Sequence, residues 1–87
     1  MSENRKKPSQ SIGGEELRFH IETEQEVDGR WIAEIPEVPG ALAYGANEKE
    51  AVSKVFAIAL RSLADNIERS LEEPPTSIRW QRAVRVA

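Results

Sequence analysis

An apolar stripe in the second half of the chain limits its possible folds more than any other feature. Over residues 48–71, apolar side chains recur at steps of three and four, the spacing of one helical face; they are Val52, Val55, Phe56, Ala59, Leu60, Leu63, Ile67 and Leu71. Asn47 precedes the stripe as a helix N-cap, and Glu50 lies three residues later, as in a capping box. A proline pair at Pro74 ends the helix. The pattern predicts one long helix whose stripe forms most of the core.

Two strands joined by a hairpin are predicted ahead of this helix. Residues 17–23, LRFHIET, alternate apolar and polar side chains, which is typical of a half-buried strand. Residues 31–35, WIAEI, form the second strand, with the side chains at 31, 33 and 35 on one face. Between them, Asp28-Gly29 predicts a type I′ turn, because glycine and aspartate tolerate the positive φ that this turn requires.

A proline- and glycine-rich joint connects the second strand to the helix. Pro36 ends the strand because it has no N–H to donate. Pro39 and Gly40 fit the two central positions of a type II turn. A third short strand, ALAY at residues 41–44, places Leu42 and Tyr44 on one side, and the glycine at 45 closes it.

The last segment, residues 77–87, alternates again and predicts a fourth strand. Its apolar face is interrupted by Arg82 and contains Ile78, Trp80, Val84 and Val86. A strand that follows a helical crossover lies parallel to the strand it joins. The expected fold class is α+β with the order β-β-β-α-β: a three-stranded antiparallel sheet plus a final edge strand, and one long helix packed on one face.

The predicted elements differ in length. A helix over residues 48–71 would be about 36 Å long at ~1.5 Å per residue, whereas strands of five to seven residues span about 17–23 Å. The helix should therefore overhang the sheet. The chain has no cysteine to stabilise so small a domain, and self-association is the usual remaining device. We expect a homo-oligomer, a dimer or tetramer, with an interface formed by Leu63, Ile67, Leu71 and Trp80.

The charge distribution favours a basic protein partner. Residues 15–73 carry fourteen acidic and six basic side chains, a balance of −8, whereas each end of the 87-residue chain is basic. Such a body fits a basic partner by charge complementarity; the alternative is a solvated surface. Residues 1–14 are polar and are expected to be a disordered tail ahead of a single domain, residues 15–87. No apolar run suits a membrane or signal peptide, so the expected location is the cytoplasm.

The sequence contains no recognisable set of catalytic residues. The serines have only His20 as a possible base, and nucleophilic catalysis also needs a third group that orients the base. Glu22 and Glu34 can be cross-strand neighbours, but no third acid completes a metal site in the sequence pattern. Phosphate and dinucleotide motifs are missing. We therefore expect no catalytic residue, no cofactor, no metal and no enzymatic activity.

The joint between the second strand and the helix resembles the signature of the HicB-like antitoxin family. The matching residues are Pro36, Glu37, Pro39, Gly40, Gly45, Glu50 and Ala51, with Asn47 where the family usually has a threonine cap. The resemblance covers residues 17 to about 75. It implies a truncated RNase H-like fold without nuclease carboxylates, and a non-enzymatic antitoxin that oligomerises and neutralises a small basic HicA-type RNase toxin by masking it.

Two further expectations concern the residues that contact the toxin and the role of DNA. Acidic residues around the first hairpin, Glu22, Glu24, Glu26 and Asp28, are the expected contact patch for the toxin. Many family members carry a separate DNA-binding module after the fourth strand, and none is expected here. Contact between DNA and the arginines of the last strand, Arg79 and Arg85, remains open. The alternative functions are an orphan regulatory or interaction module and an RNase H-like nuclease.

Overall fold

The described part of the chain consists of residues 16–70 and 74–85 in a computed structural model. The predicted N-terminal tail, residues 1–14, lies outside it, as does Leu71 of the predicted oligomer interface. The elements in chain order are β1 (Glu16–Gln25), β2 (Trp31–Glu34), β3 (Leu42–Gly45), α1 (Glu48–Ser70) and β4 (Ser77–Val84).

The strands form one sheet in the order β3-β2-β1-β4. β1 and β3 each pair antiparallel with β2. β4 pairs parallel with β1 along eight residues, from Glu16 opposite Ser77 to Thr23 opposite Val84. The predicted α+β class, the element order and the parallel edge strand are therefore confirmed.

The hairpin between β1 and β2 differs from the predicted type I′ turn. Gly29 N–H donates to the Glu26 carbonyl at 2.9 Å, so Val27 and Asp28 are the central residues of the turn. Glu26 N–H in turn donates to the Arg30 carbonyl at 2.6 Å and leaves three residues in the loop. A loop of this length takes a type I turn followed by a left-handed residue, and Gly29 supplies it with φ +94°.

Two consecutive turns connect β2 to β3. Val38 N–H donates to the Ile35 carbonyl at 2.9 Å, and Ala41 N–H donates to the Val38 carbonyl at 3.0 Å. A proline is the second residue of each turn, where its fixed φ is favourable. Gly40 has φ +83° at the third position of the second turn, so the predicted type II turn is confirmed.

The core contains fewer helical residues than the stripe predicted. Its buried apolar residues are Phe19, Ile21, Ala33, Ile35, Val38, Ala41, Ala43, Ala51, Val55 and Ala59. Only the last three belong to α1. The expectation that the stripe forms most of the core is therefore wrong, because small side chains face the sheet and most of the large ones lie to the side.

The larger stripe residues lie on the flank of α1 that faces β4. Phe56 packs on Trp80 with ring centroids 4.3 Å apart, and Trp80 packs on Phe19 at 5.0 Å. At 100° per residue, Leu60 and Ile67 lie on the same flank as Phe56. Leu60 is 42% exposed. We define this flank by Phe56, Leu60 and Ile67.

The helix also extends beyond its buried part. α1 has 23 residues, which corresponds to about 34 Å. Ala59 is its last buried residue, and Leu63 and Ile67 are only partly buried. Residues 60–70 therefore extend past the core, as the length difference predicts.

Candidate interaction surfaces

The start of α1 is fixed by reciprocal capping. Asn47 Oδ1 accepts a hydrogen bond from Glu50 N–H at 2.8 Å, and Glu50 Oε1 accepts one from Ala46 N–H at 2.6 Å. The first bond satisfies an N–H group that a helix N-terminus leaves without a partner, and the second ties the residue before the N-cap to the first turn, one position earlier than in a standard capping box. The bond from Ala46, with the nearby Lys54 ammonium 3.4 Å from Glu50 Oε2, lowers the pKa of the Glu50 carboxyl. The first turn of the helix is thus held by its own sequence.

Gly45 allows β3 to approach this capped turn closely. A Cβ atom at position 45 would lie 2.5 Å from Ala51 N and 3.0 Å from Asn47 O. Both distances are below ordinary van der Waals contact, and both atoms belong to the backbone. Glycine is therefore required here for space, whereas Gly40 and Gly29 are required for their positive φ.

Glu37 connects the double turn to β1. β2 pairs with β1 only along residues 22–25, so no strand of the described ranges lies beside the earlier part of that edge of β1. There the Glu37 carboxylate accepts a hydrogen bond from His20 N–H at 2.9 Å and forms a second one with His20 Nδ1. We name this pair of bonds the His20–Glu37 clasp. It occupies an edge that Pro36 prevents β2 from covering.

The stability that the His20–Glu37 clasp contributes depends on the protonation states of His20 and Glu37. The hydrogen bond to Glu37 and its negative charge raise the pKa of His20 above 6.5. Partial burial raises the pKa of Glu37, but the hydrogen bonds from His20 outweigh it and the net pKa is below 4.5. Stability from the histidine is therefore lost as the pH rises through its raised pKa. Stability from the glutamate is lost as the pH falls through its lowered one.

A small groove separates the double turn from the second half of α1. Its volume is about 90 Å³, and it is lined by Phe19, Glu37, Val38, Pro39, Ser62, Leu63 and Asn66. Sites for small-molecule ligands are usually about 300–1,000 Å³. The groove suits one inserted side chain better than a cofactor. The predicted interface residue Leu63 therefore lies at the turn side of the helix.

The face of the sheet opposite α1 carries three carboxylates around one arginine. Arg85 Nη1 lies 3.5 Å from Glu34 and 3.6 Å from Glu22, and Arg85 Nε lies 3.7 Å from Glu24. We define these four residues as the acidic cluster. Glu22 and Glu34 are directly opposite in the β1–β2 register. The sequence predicted that pair as cross-strand neighbours and placed Glu24 with Glu22 in an acidic patch, but it did not predict that Arg85 lies among the three carboxylates.

Apolar side chains lie beside the acidic cluster on the same face. Tyr44 is opposite Ile32 in the β2–β3 register, and Leu42 is opposite Glu34. Leu42 and Tyr44 are 43% and 41% exposed. Their neighbours Ala43 and Gly45 are buried towards the helix. We call the acidic cluster together with Ile32, Leu42 and Tyr44 the open face.

The four acids of the predicted toxin contact divide between two places. Glu22 and Glu24 belong to the open face. Glu26 flanks the hairpin loop and Asp28 lies in it, beyond the end of β1. Asp28 forms an ion pair with Arg30 at 2.9 Å, and the Arg30 guanidinium lies 4.9 Å from the centre of the Tyr44 ring. The structure therefore adds Glu34 and Arg85 to the first pair, whereas Asp28 is paired with a different arginine.

The remaining predicted interface residues also occupy different surroundings. Trp80 is half-buried between the rings of Phe19 and Phe56. Ile67 is partly buried on the far part of the α1 flank. Phe56, at the other end of the same flank, contacts Trp80 of β4.

The arginines of the C-terminal strand have carboxylate partners within the chain. Arg79 Nε pairs with Glu16 at 3.0 Å and, by this hydrogen bond, lowers the pKa of the Glu16 carboxyl. Arg82 lies 3.5 Å from Glu48, which also accepts a hydrogen bond from the buried Thr23 hydroxyl at 2.9 Å. With Arg85 in the acidic cluster, the charges considered for DNA contact are compensated locally.

Neither a metal site nor a membrane span is found in the described ranges. Across residues 16–70 and 74–85, no group of three or more His, Cys, Asp or Glu side chains is placed to hold a metal ion. Within the same ranges, no helix is both long and apolar enough to cross a membrane. The acidic cluster has the guanidinium of Arg85 among its carboxylates.

Comparisons with known proteins returned no significant similarity. No protein-family model matches the chain, and no curated protein or solved structure matches it.

Proposed function

We propose that the protein is a HicB-like antitoxin, or an antitoxin-like binding module, that masks a basic HicA-type RNase toxin. The observation that carries the proposal is the joint between β2 and α1. Its family-like residues each perform a separate task there: Glu37 clasps β1, Gly40 supplies a positive φ, Gly45 permits close approach, and Asn47 and Glu50 cap the helix. Their ordered combination is more specific than any one of them.

Charge supports the kind of partner proposed. The open face carries three carboxylates against one guanidinium, and the sequence has an excess of acids between residues 15 and 73. Complementary potentials accelerate association and disfavour wrong partners. A basic RNase toxin meets this requirement, because it must itself bind the polyanion that it cleaves.

We further propose that the chain self-associates through the flank of α1 and the neighbouring part of β4. Leu60 on the flank and Val84 at the end of β4 are 42% and 54% exposed. Among the described residues, β4 pairs only with β1 and is an edge strand of the sheet. Apolar exposure beside an edge strand is typical of an association surface. A homo-oligomer, a dimer or tetramer, would cover both.

Co-expression tests the antitoxin function. The chain is produced with an affinity tag beside a short basic protein encoded next to it, and the RNase activity of that partner is measured with and without the chain. The expected result is co-purification and loss of RNase activity at stoichiometric amounts. Active RNase in the presence of excess chain, or cleavage of RNA by the chain alone with Mg²⁺ or Mn²⁺, would contradict the proposal.

Sedimentation tests the self-association. Leu60→Ser with Ile67→Ser should lower the mass of the assembly towards that of one chain, because polar side chains on the flank remove its apolar contact. Arg61→Ser with Glu68→Ser is the control on exposed positions of the same helix, away from the flank. A wild-type chain that sediments as a monomer at all accessible concentrations would contradict the proposed oligomer.

A further inference from the structure

The open face combines an apolar area with an excess of negative charge. Ile32, Leu42 and Tyr44 form the apolar part at the β2–β3 side, where the guanidinium of Arg30 lies 4.9 Å from the centre of the Tyr44 ring. The acidic cluster lies next to them, across β2 and β1. No helix in the described ranges covers this face, since α1 packs on the opposite one.

The acidic cluster is incompletely neutralised. Three carboxylates and one guanidinium leave a formal charge of −2 at neutral pH. The shortest contact, from Arg85 Nη1 to Glu34 Oε1, is 3.5 Å. This is beyond the usual range for a strong charge-assisted hydrogen bond, about 2.7–2.9 Å. Among the described residues, none accepts a hydrogen bond from the buried Arg85 Nε.

We infer that the open face is the docking surface for the basic toxin, and that an arginine or lysine of the toxin displaces Arg85 from the acidic cluster. This inference rests on the proposed antitoxin function and deepens it. The guanidinium of Arg85 identifies the chemistry that the three carboxylates accept. A partner side chain with better geometry satisfies them more fully than Arg85 does.

Two features favour a basic partner over a second copy of the chain at this face. A second copy would bring another acidic cluster with a formal charge of −2 against the first, and like charges at an interface are unfavourable. The flank of α1 with its exposed Leu60 and the end of β4 with its exposed Val84 offer a separate surface for self-association. The apolar residues and the acids of the open face then contact one partner together.

Displacement of Arg85 predicts an effect on binding that an acidic patch without its own arginine would not show. Arg85 follows the last residue of β4, and its N–H donates to the Thr23 carbonyl at 2.6 Å. Its side chain is therefore an internal competitor for the carboxylates. Removing it should strengthen binding of a basic partner, whereas removing other arginines of the same strand should not.

The first experiment measures affinity for a purified HicA-type toxin at low and high salt. The open-face variant carries Glu22→Gln, Glu24→Gln and Glu34→Gln. The matched control removes the same number of charges elsewhere, with Glu26→Gln, Asp65→Asn and Glu68→Gln. We expect at least a tenfold loss of affinity and a smaller salt dependence for the open-face variant, and less than a twofold change for the control.

Arg85→Gln and Arg79→Gln test the displacement in the same assay. We expect Arg85→Gln to bind threefold to tenfold more tightly at low salt and to lose this gain at high salt, because the gain is electrostatic. Arg79→Gln removes the same charge at the other end of β4 and should not tighten binding. Thermal melts of both variants are recorded to establish that each is folded. Equal or weaker binding by Arg85→Gln would overturn the displacement.

A second arm needs no toxin. Hexa-arginine is titrated into the ¹⁵N-labelled chain at low salt, and amide shifts are followed by NMR. The largest shifts are expected at Glu24, Ile32 and Tyr44. Shifts concentrated at the hairpin loop or spread over all acids would overturn the docking surface.

The two arms separate failure of the surface from failure of the function. If hexa-arginine maps to the open face but no toxin binds, the antitoxin function fails and the surface stands. If the toxin binds but the open-face and control variants weaken it equally, the function stands and the docking surface is overturned. A change in the sedimenting mass of the isolated open-face variant would identify this face as a contact between copies and would also overturn the inference.

Discussion

The two halves of α1 differ in how they are held. The first half begins at a double cap, approaches β3 closely at Gly45, and contains all three buried residues of the helix. The second half, from Leu60, contains no buried residue; its turn side borders the groove beside Val38 and Pro39. One helix thus combines a part that stabilises the fold with a part that remains available for contacts.

The comparison shows that apolar periodicity alone does not identify a core. Both halves carry the same stripe, yet only small residues of the first half are fully buried. The difference arises from the length of the sheet beneath the helix and from the small side chains that face it.

Gly45→Ala should produce the largest effect, because it pushes β3 away from the first half of α1. The added methyl group would meet backbone atoms, which cannot rotate aside, and we expect a loss of about 3 kcal/mol in the free energy of unfolding. Urea denaturation measures it. Gly40→Ala is the control: its Cβ has open space and only the positive φ is strained, so a loss of about 1 kcal/mol is expected. Equal losses would contradict the close approach.

Val55→Ala and Ile67→Ala compare the two halves directly. Val55 is fully buried, and its truncation removes two methyl groups and leaves a cavity, at a cost of about 2 kcal/mol. Ile67→Ala removes more atoms but from a partly exposed position, and about 1 kcal/mol or less is expected at concentrations where the chain is monomeric. A lower free energy of unfolding for Ile67→Ala than for Val55→Ala in urea denaturation would contradict the proposed difference between the two halves.

Asn47→Ala should cost about 1 kcal/mol, the usual value of a lost N-cap. The effect should be confined to the first half of the helix and should appear as faster amide exchange at Ala51. Asn47→Asp keeps an acceptor for Glu50 N–H and should restore most of the stability. Unchanged exchange in the alanine variant would show that the cap contributes little.

Loss of the His20–Glu37 clasp should have the smallest effect on stability. This effect should depend on pH and should be detected at the second half of α1. Glu37 contributes stability above its ordinary pKa of 4.5, and His20 contributes below its ordinary pKa of 6.5. The clasp is therefore strongest between these two values and weakens as the pH rises through the raised pKa of His20.

Thermal melts of the wild type and His20→Gln between pH 5 and 9 measure this dependence. The melting temperatures should differ most near pH 5.5 and converge at high pH. Amides of Ser62 and Leu63 should become less protected in the variant, while those near Val55 remain unchanged. A difference that is constant with pH would exclude a contribution from the charged histidine.

Local patterns were sufficient to predict the elements and their order. Alternation identified the strands, Pro39-Gly40 identified the type II turn, and the crossover rule identified β4 as parallel. These features depend on neighbouring residues or on general chirality. The hairpin at Asp28-Gly29 was mispredicted because its turn type follows from the hydrogen bond between Glu26 and Arg30, which is a property of strand register.

The candidate surfaces required the tertiary structure. The alternation in ALAYG indicates two faces, but only the close packing of α1 shows that Ala43 is inside and Tyr44 outside. The acidic cluster joins residues from β1, β2 and the end of β4. Arg85 is more than fifty positions from Glu34 in the sequence, and no local pattern brings the two together.

The parallel pairing of β1 with β4 also has a kinetic consequence. Glu16 is opposite Ser77, so this ladder closes over about sixty residues, whereas β1, β2 and β3 pair through short loops. Non-local pairings of this kind form late, because a long loop must be closed first. We expect β1–β3 and the start of α1 to assemble before β4, and stopped-flow fluorescence of Trp80 in a Trp31→Phe variant to report the final phase. During synthesis, the acidic cluster would acquire Arg85 only after the ribosome has released the end of β4, so a nascent chain would present its three carboxylates without their internal competitor.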